Sequence, residues 1–312
     1  MTELADLILR SGRSAVEFAL FVLLPIMIVM LTFMRLLEAR GVLDRIVDRI
    51  APWLRPLGIP GLGVFALLQV LFVSFAAPVA TLAMMDKSGI SRRHIAATLA
   101  LVFGAAQANV VFPMSAIGLN GPATLLISAL AAMAGAAATY HWFSRGIPDE
   151  IEPPEPRPQH RSAEDTKGAM DVINHAGAEA FKIATGALPM LVLSLLLVNG
   201  LRDAGVIAAL ESLLTPVFGW ADLPPSVALP IITKAIAGGT AMMAVSADLL
   251  QQGLLSSVDI NRTAGLLMHP FDVAGVAILI SAGPRVAAVL RPAAYGCLIA
   301  IGIRTVLHML LW

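Results

Sequence analysis

Charged residues are scarce in this chain. Lysine, arginine, aspartate and glutamate make up 13% of its 312 residues, whereas hydrophobic residues make up 58% and the mean hydropathy is +0.82. Soluble domains carry about 25% charged residues, so this chain lacks the polar surface that would cover it in water. The composition therefore predicts a membrane protein whose apolar surface contacts a lipid bilayer.

Cysteines, net charge and catalytic signatures are also missing or nearly so. Cys297 is the only cysteine and lies in an apolar run, so we expect it to fill space rather than form a disulfide. The formal net charge is zero, which gives no reason to expect a nucleic-acid partner. The sequence contains no nucleophile elbow, HExxH pair or phosphate-binding loop. We therefore expect a protein that is not an enzyme and does not bind nucleic acid.

Long apolar runs are what the sequence does contain. Six of them are about long enough to cross a hydrocarbon core of ~30 Å, at residues 18–34, 95–118, 122–140, 183–198, 264–283 and 286–307. The charged, proline-rich stretch at 145–177 cannot bury apolar surface, so it is predicted to be a solvated linker. It separates a first unit, 1–144, from a second unit, 178–312.

The two units are predicted to be copies of one structural repeat. At one constant offset, Pro25 aligns with Pro189, Gly41 with Gly205, Pro52 with Pro216, Pro60 with Pro224 and Gly89 with Gly253. One added residue then aligns Ser91 with Ser256, Thr98 with Thr263 and Gly118 with Gly283. Prolines and glycines fix special backbone geometry, so their agreement indicates repeated structure rather than shared hydrophobicity.

Two further apolar runs, 62–85 and 226–250, decide the topology. Basic residues flank the first run on both sides: Arg45, Arg49 and Arg55 precede it, and Lys87, Arg92 and Arg93 follow it. A single crossing would place one cluster on the wrong side of the membrane. Both runs hold small residues in the middle, at 74–78 and 238–240, which suit a chain reversal with arms too short to span. We predict two re-entrant hairpins, with kinked single crossings as the alternative.

The predicted fold is an all-α integral membrane protein with two inverted repeats. Each repeat has three transmembrane helices, an amphipathic surface helix, which is at 43–50 in the first repeat, and a re-entrant helical hairpin. Three crossings are an odd number, so the second repeat faces the opposite way. Such repeats meet near the midplane at broken helices, where secondary transporters build their solute sites.

The basic residues predict the orientation in an inner (plasma) membrane. With the N-terminus outside, most lysines and arginines fall in cytoplasmic loops, and the linker at 145–177 is cytoplasmic. The outer face then keeps few arginines, namely Arg10, Arg13, Arg202, Arg262 and Arg304.

Polar side chains inside the apolar runs are candidate solute-binding residues, because such groups are costly in a membrane. They are Ser74, Gln107, Asn109, Lys234, Thr240, Asp248, His269 and Asp272. His269 and Asp272 are three apart, so we expect them on one helical face, and the repeat places Gln107 opposite Asp272. Five of them have a structural alternative: helix–helix hydrogen bonds for the two amides, snorkelling or structural pairing for Lys234, core packing for His269, and water exposure at the hairpin mouth for Asp248.

Residues 74–78 (SFAAP), residues 85–94 (MDKSGISRRH) and the Ala/Gly-rich run to Gly118 resemble the nucleoside-recognition (Gate) domain. Similar layouts occur in concentrative nucleoside transporters, in the pore region of ferrous-iron permeases and in spore maturation proteins. The resemblance covers 15–144 and, more weakly, 178–305, and implies an elevator-like motion. Nucleoside transporters carry Gln-Thr-Glu before the hairpin proline, where this chain has Phe75, Ala76 and Ala77; the iron permeases have pore cysteines, and Cys297 lies elsewhere.

The sequence therefore predicts a secondary transporter or permease for a small polar solute. An anionic group would suit Lys234 and the helix N-termini of the hairpins. The alternatives are a non-transporting membrane subunit or signalling component of the spore-maturation type, and a metal-ion permease. No resident cofactor or metal is expected. The coupling ion, H+ or Na+, and the formation of a homo-oligomer are left open.

Overall fold

In the computed structural model, every regular element of the described residues is helical. The description covers residues 2–148, 168–206 and 222–312, with residues 209, 212, 218 and 219 in between. The predicted linker at 145–177 lies partly outside this range, and a helix already occupies its last residues. The surface helix predicted for the second repeat also lies largely outside the described residues.

The first repeat begins with one long helical segment. Helices α1 (Thr2–Glu17) and α2 (Leu24–Ala39) are joined by π-helical turns at Phe18–Leu23. The amphipathic helix α3 (Val42–Leu54) follows, and the chain then bends by 109° into the next helix. The remaining helices of this repeat are α4 (Gly61–Phe72), α5 (Pro78–Lys87), α6 (Arg92–Gly104), α7 (Ala108–Ala116) and α8 (Gly121–Ala138).

The second repeat has the same order of elements where it is described. Its helices are α9 (Ala169–Asp203), α10 (Ala228–Gln251), α11 (Ser257–Leu267), α12 (Val273–Ile280), α13 (Pro284–Ala288) and α14 (Leu290–Leu311). Six helical segments of the described residues are long and apolar enough to cross a membrane: Leu4–Leu37, Arg92–Ala116, Gly121–Phe143, Ala169–Leu201, Pro225–Gln251 and Leu290–Leu311. The chain is an all-α integral membrane protein, as its composition predicts.

Both ambiguous runs fold back on themselves. In the first, Thr81 Oγ1 on α5 donates a hydrogen bond of 2.7 Å to Gln69 Oε1 on α4, so the two arms lie side by side. In the second, Gly238 interrupts α10 with φ 82° and ψ −177°. Ser226 Oγ then donates a bond of 2.7 Å to the Leu254 carbonyl, although an unbroken helix would separate these residues by about 42 Å. Each run is therefore a hairpin.

The first helices of the two repeats run antiparallel. Arg10 pairs with Asp203 at 3.2 Å, whereas Arg35 pairs with Glu179 at 3.0 Å, so the start of one helix lies beside the end of the other. This arrangement is what an inverted repeat requires.

Aligned residues of the two repeats also share their backbone conformation. Gly89 and Gly253 follow the hairpins with φ values of 75° and 70°. Ser91 and Ser256 then cap α6 and α11 through their side-chain oxygens. Because equivalent sequence positions perform equivalent local tasks, the structure is consistent with the predicted repeat.

Each repeat binds the loop of the other through one polar side chain. Asp86, at the end of the first hairpin, accepts hydrogen bonds from the backbone amides of Arg285 at 2.7 Å and Val286 at 3.2 Å. Asn261, after the second hairpin, accepts from the amide of Asn120 at 2.7 Å and donates to the Gly118 carbonyl at 2.8 Å. The two repeats are therefore interlocked, not merely stacked.

Helix α14 of the second repeat packs against α6 and α8 of the first repeat and against α11. Small residues allow this approach: a Cβ added at Gly135 would lie 3.0 Å from the Cβ of Ala300. Close packing of small residues is the usual way in which helices associate in a membrane, where the hydrophobic effect does not drive them together.

Candidate functional site

Two of the predicted crossings are broken in the middle. Residues 105–107 separate α6 from α7, and residues 268–272 separate α11 from α12. The second break contains Pro270, which has no amide hydrogen to continue a helix. The breaks touch each other: the Gln107 amide donates to the Met268 carbonyl at 2.9 Å, and Gln107 Nε2 donates to the His269 carbonyl at 2.9 Å. Unwound backbone of both repeats thus meets at one point.

The expectation that His269 and Asp272 share a helical face is wrong, because both lie in or at the end of the break at Pro270. Asp272 is the N-cap of α12, and its Oδ1 accepts from the Gly275 amide at 2.8 Å. His269 Nδ1 accepts from the Phe271 amide at 3.1 Å. Gln107 occupies the N-cap position of α7, so Gln107 and Asp272 do hold equivalent places.

Lys234 and Asp272 form a buried ion pair. Lys234 Nζ, on the first arm of the second hairpin, donates to Asp272 Oδ2, and the two side chains are 2% and 5% exposed. Burying two charges costs several kcal/mol each, which their attraction and further hydrogen bonds must offset. Asp272 meets this condition through its helix cap. The pair therefore ties the second hairpin to the break beside it.

Both hairpin tips contact α7 near its first turn. At the first tip, the Phe75 amide donates to Asn109 Oδ1 at 3.3 Å. At the second tip, Gly239 is so close to α7 that an added Cβ would lie 2.9 Å from Gln107 Nε2 and 2.7 Å from a methyl carbon of Val110. The two tips and the two breaks thus form one continuous cluster at the centre of the molecule.

A cavity of about 590 Å³ opens beside the first hairpin. Its polar lining comprises Ser74, Asn109, Gln69, Thr81, Arg35 and Glu179. A second cavity of about 690 Å³ opens beside the second hairpin, with Ser14, Glu17, Asp248 and Gln251 as its polar lining. The cavities occupy equivalent places in the two repeats, since Ala80 in the first aligns with Ala244 in the second, and Met84 with Asp248.

The structure brings together most of the predicted site residues. Gln107, Asn109, Lys234, His269 and Asp272 belong to the central cluster, and the predicted Ser74 lies at the first tip. Thr240 follows Gly239 at the second tip and is half-buried. Asp248 is separate from the cluster: it lines the second cavity and accepts from Gln252 Nε2 at 2.8 Å.

Sequence reasoning missed three polar residues. Arg304, which the charge pattern assigned to the outer face, is not exposed there but is fully buried inside the protein. Its place inside the apolar run 286–307 was the signal for this burial. Gln69 and Thr81 face each other across the first hairpin and line its cavity. Gln69 is a polar residue in the apolar run 62–85, and the sequence shows this. Whether its side chain points into the hairpin or away from it depends on how the hairpin folds, which the sequence does not show. Within the part of the chain that the structure describes, no three His, Cys, Asp or Glu residues are grouped to hold a metal ion.

Comparisons with known proteins identify the fold. No family model and no curated protein matches the sequence. Among solved structures, the chain is similar to CNTnw, a concentrative nucleoside transporter, in an inward-facing substrate-bound state, with a TM-score of 0.68 and 16% identity over 99% of this chain and 83% of that chain. A CNTnw variant in an outward-facing state matches with a TM-score of 0.69 and 17% identity, over 94% of this chain and 75% of that chain. A CNTnw variant in an intermediate state matches with a TM-score of 0.62 and 16% identity, over 100% of this chain and 86% of that chain.

These similarities support one part of the resemblance noted in the sequence. The link to the Gate domain, the ferrous-iron permeases and the spore maturation proteins stays a prediction. The chain has the fold of a concentrative nucleoside transporter.

Proposed function

We propose that the chain is a secondary transporter that moves a small polar solute between the two hairpins. The observation that carries this proposal is the pair of equivalent cavities, one beside each hairpin. Arg35 of the first cavity and Glu17 of the second are separated by roughly 27 Å along the first helix. That separation is close to the thickness of the hydrocarbon core, so each cavity would serve one face of the membrane.

The lining of the first cavity favours an uncharged or zwitterionic solute that forms hydrogen bonds. Gln69, Thr81, Asn109 and Ser74 offer amide and hydroxyl groups, and the two charged residues of the lining, Arg35 and Glu179, neutralise each other. Lys234 is already paired with Asp272, which weakens the expectation of an anionic solute. Phe75 and Ala76 line the same cavity, so a nucleoside would have to be bound by other residues than Gln-Thr-Glu.

The proposed setting is an inner membrane, with the predicted linker at 145–177 in the cytoplasm. In this orientation the first cavity faces the cytoplasm and the second faces the outside. The Lys234–Asp272 pair is the proposed coupling element, since it connects the second hairpin to the broken helix and would respond to any movement between them. A proton would be exchanged there.

Uptake into proteoliposomes tests the proposal. Thermal-shift screening against nucleosides, amino acids, organic acids and divalent metals first selects solutes, because a ligand stabilises the folded state by mass action. The selected solute should accumulate with the wild-type protein and not with Asp272→Asn. Asp203→Asn, which removes an exposed ion pair instead, is the matched control and should transport normally.

Two results would contradict the proposal in different ways. Full accumulation with Asp272→Asn would remove Asp272 from the mechanism. Absence of stabilisation and of accumulation for every solute class would favour the non-transporting membrane subunit, whereas accumulation of a divalent metal alone would favour the metal-ion permease.

A further inference from the structure

Arg304 is a buried cation whose partners are backbone carbonyls. It lies on α14 and is 0% exposed. Its Nε and Nη2 donate to the Gly265 carbonyl at 3.0 and 2.6 Å, and its Nη1 donates to the Gly104 carbonyl at 3.2 Å. In the described ranges, 2–148, 168–206 and 222–312, no carboxylate lies within ion-pair distance of it. A buried charge without a counter-ion needs another source of negative potential.

The two broken helices supply that potential. The last four carbonyls of a helix have no partner within the helix. Gly104 is the last residue of α6, and Gly265 lies in the last turn of α11. Each helix C-terminus carries roughly half a negative charge, so the two together are equivalent to about one. The guanidinium group of Arg304 therefore neutralises the ends of both helices at once.

Arg304 also holds the unwound backbone of the first break. Its Nη1 lies 3.5 Å from Ser128 Oγ on α8, and the same oxygen accepts a hydrogen bond from the Ala106 amide. Ala106 is in the middle of the break at 105–107. The contacts of Arg304 thus reach α6, α8, α11 and the first break, where the two repeats meet.

In transporters with broken helices, unwound carbonyls and helix C-termini are the groups that bind a coupling Na+. We infer that Arg304 is a built-in substitute for such a cation, and that the site consequently takes no Na+. Lys234 brings a second positive charge to the second break, where it pairs with Asp272. A further cation would therefore meet two positive charges and one carboxylate. This inference deepens the transport proposal, on which it rests, because it removes Na+ from this site and leaves the Lys234–Asp272 pair, where a proton would be exchanged, as the coupling element.

The inference predicts a cation-dependent defect when the guanidinium group is removed. Arg304→Ala leaves the two helix C-termini without a cation and opens space for a small one. The purified variant should unfold at a lower temperature than the wild type in choline chloride. Millimolar NaCl or guanidinium chloride should raise its Tm by a few degrees in a saturable way, because an ion that binds the folded state stabilises it.

The wild type, Arg304→Lys and Arg10→Ala are the matched controls. The first two keep a cation at the site, and Arg10→Ala removes an exposed arginine that is paired with Asp203. For each of these three proteins, the Tm should not differ between Na+, guanidinium and choline salts at equal ionic strength. Should Arg304→Ala not fold, Arg304→Gln is measured in its place by the same criteria, since it also removes the positive charge but leaves a smaller void.

Two outcomes would overturn the inference. A variant that is destabilised equally in all salts would mean that Arg304 only packs and bonds. A saturable rise in the wild-type Tm with Na+ would mean that a sodium site exists despite Arg304. Neither outcome depends on uptake, so a failure here is distinguishable from a failure of the transport proposal.

Discussion

Asp272 performs two tasks with two oxygens. One oxygen caps α12 through the Gly275 amide, and the other neutralises Lys234. An asparagine side chain can still cap the helix, but it carries no charge. The two tasks can therefore be separated by mutation.

Asp272→Asn should destabilise the protein by about 3–5 kcal/mol, because it leaves the charge of Lys234 buried without a counter-ion. Adding Lys234→Met should recover most of this loss, since the buried charge is then gone. Chemical unfolding of the wild type, both single variants and the double variant closes the cycle. Losses that simply add would show that the two side chains do not act as a pair.

A central role could be predicted from the sequence only for those buried polar residues that interrupt an apolar run. Lys234, Asp272 and Gln107 interrupt apolar runs, so the cost of burying them points to a central role. Arg304 also interrupts an apolar run. The distribution of basic residues between the two membrane faces was used to predict orientation, however, and it assigned Arg304 to the outer face. The partners of Arg304 are carbonyls of glycine, and no side-chain pattern marks a carbonyl.

Among the elements, the two hairpins were accessible to sequence reasoning and the two breaks were not. Flanking charges and a tip of small residues distinguish a hairpin from a crossing. The runs 95–118 and 264–283, in contrast, are apolar enough to be taken for unbroken spans. Pro270 marks the second break, but the first has no proline at 105–107. The first break is stabilised by its hydrogen bonds to the second break. A contact between residues so far apart in the sequence leaves no signal in the local sequence pattern.

Gly238 makes the sharp turn of the second hairpin and should not tolerate a side chain. Its φ of 82° with ψ of −177° lies in a region that is essentially restricted to glycine. Gly238→Ala should therefore cost about 1–3 kcal/mol of stability, measured by thermal unfolding. Gly186→Ala is the control: this glycine in α9 has nothing within 4 Å of an added Cβ, so its replacement should be neutral or slightly stabilising. Equal effects of the two would mean that the turn is not strained.

For the whole molecule, inverted repeats make a prediction about sidedness. With Cys297 replaced, single cysteines at Arg55 and Lys87 should react with an impermeant reagent from one side of the membrane. Cysteines introduced at Pro224 and Gly253, which flank the second hairpin, should react from the opposite side. If the cysteines at positions 55 and 87 react from different sides, the first run is not a hairpin. If all four cysteines react from the same side, the two repeats are not inverted.

Alternating access makes a second prediction at this scale. Ala80 lines the first cavity and Ala247 the second, so single cysteines there report the opening of each. Conditions that raise the labelling rate at one position, such as saturating solute, should lower it at the other. Parallel changes at both positions would indicate a channel that is open at both ends or a protein that does not cycle.

The mutual binding of loops by Asp86 and Asn261 has a consequence for how the chain is made. The first repeat leaves the ribosome long before residues 285 and 286 exist, and during that interval the carboxylate of Asp86 and the backbone of residues 118–120 must wait for partners. Assembly in the bilayer is therefore completed only by the arrival of the last helices, which makes the nascent first repeat a substrate for membrane chaperones and proteases. If the two repeats were translated from separate mRNAs, they would have to associate in the membrane before either could complete its folding.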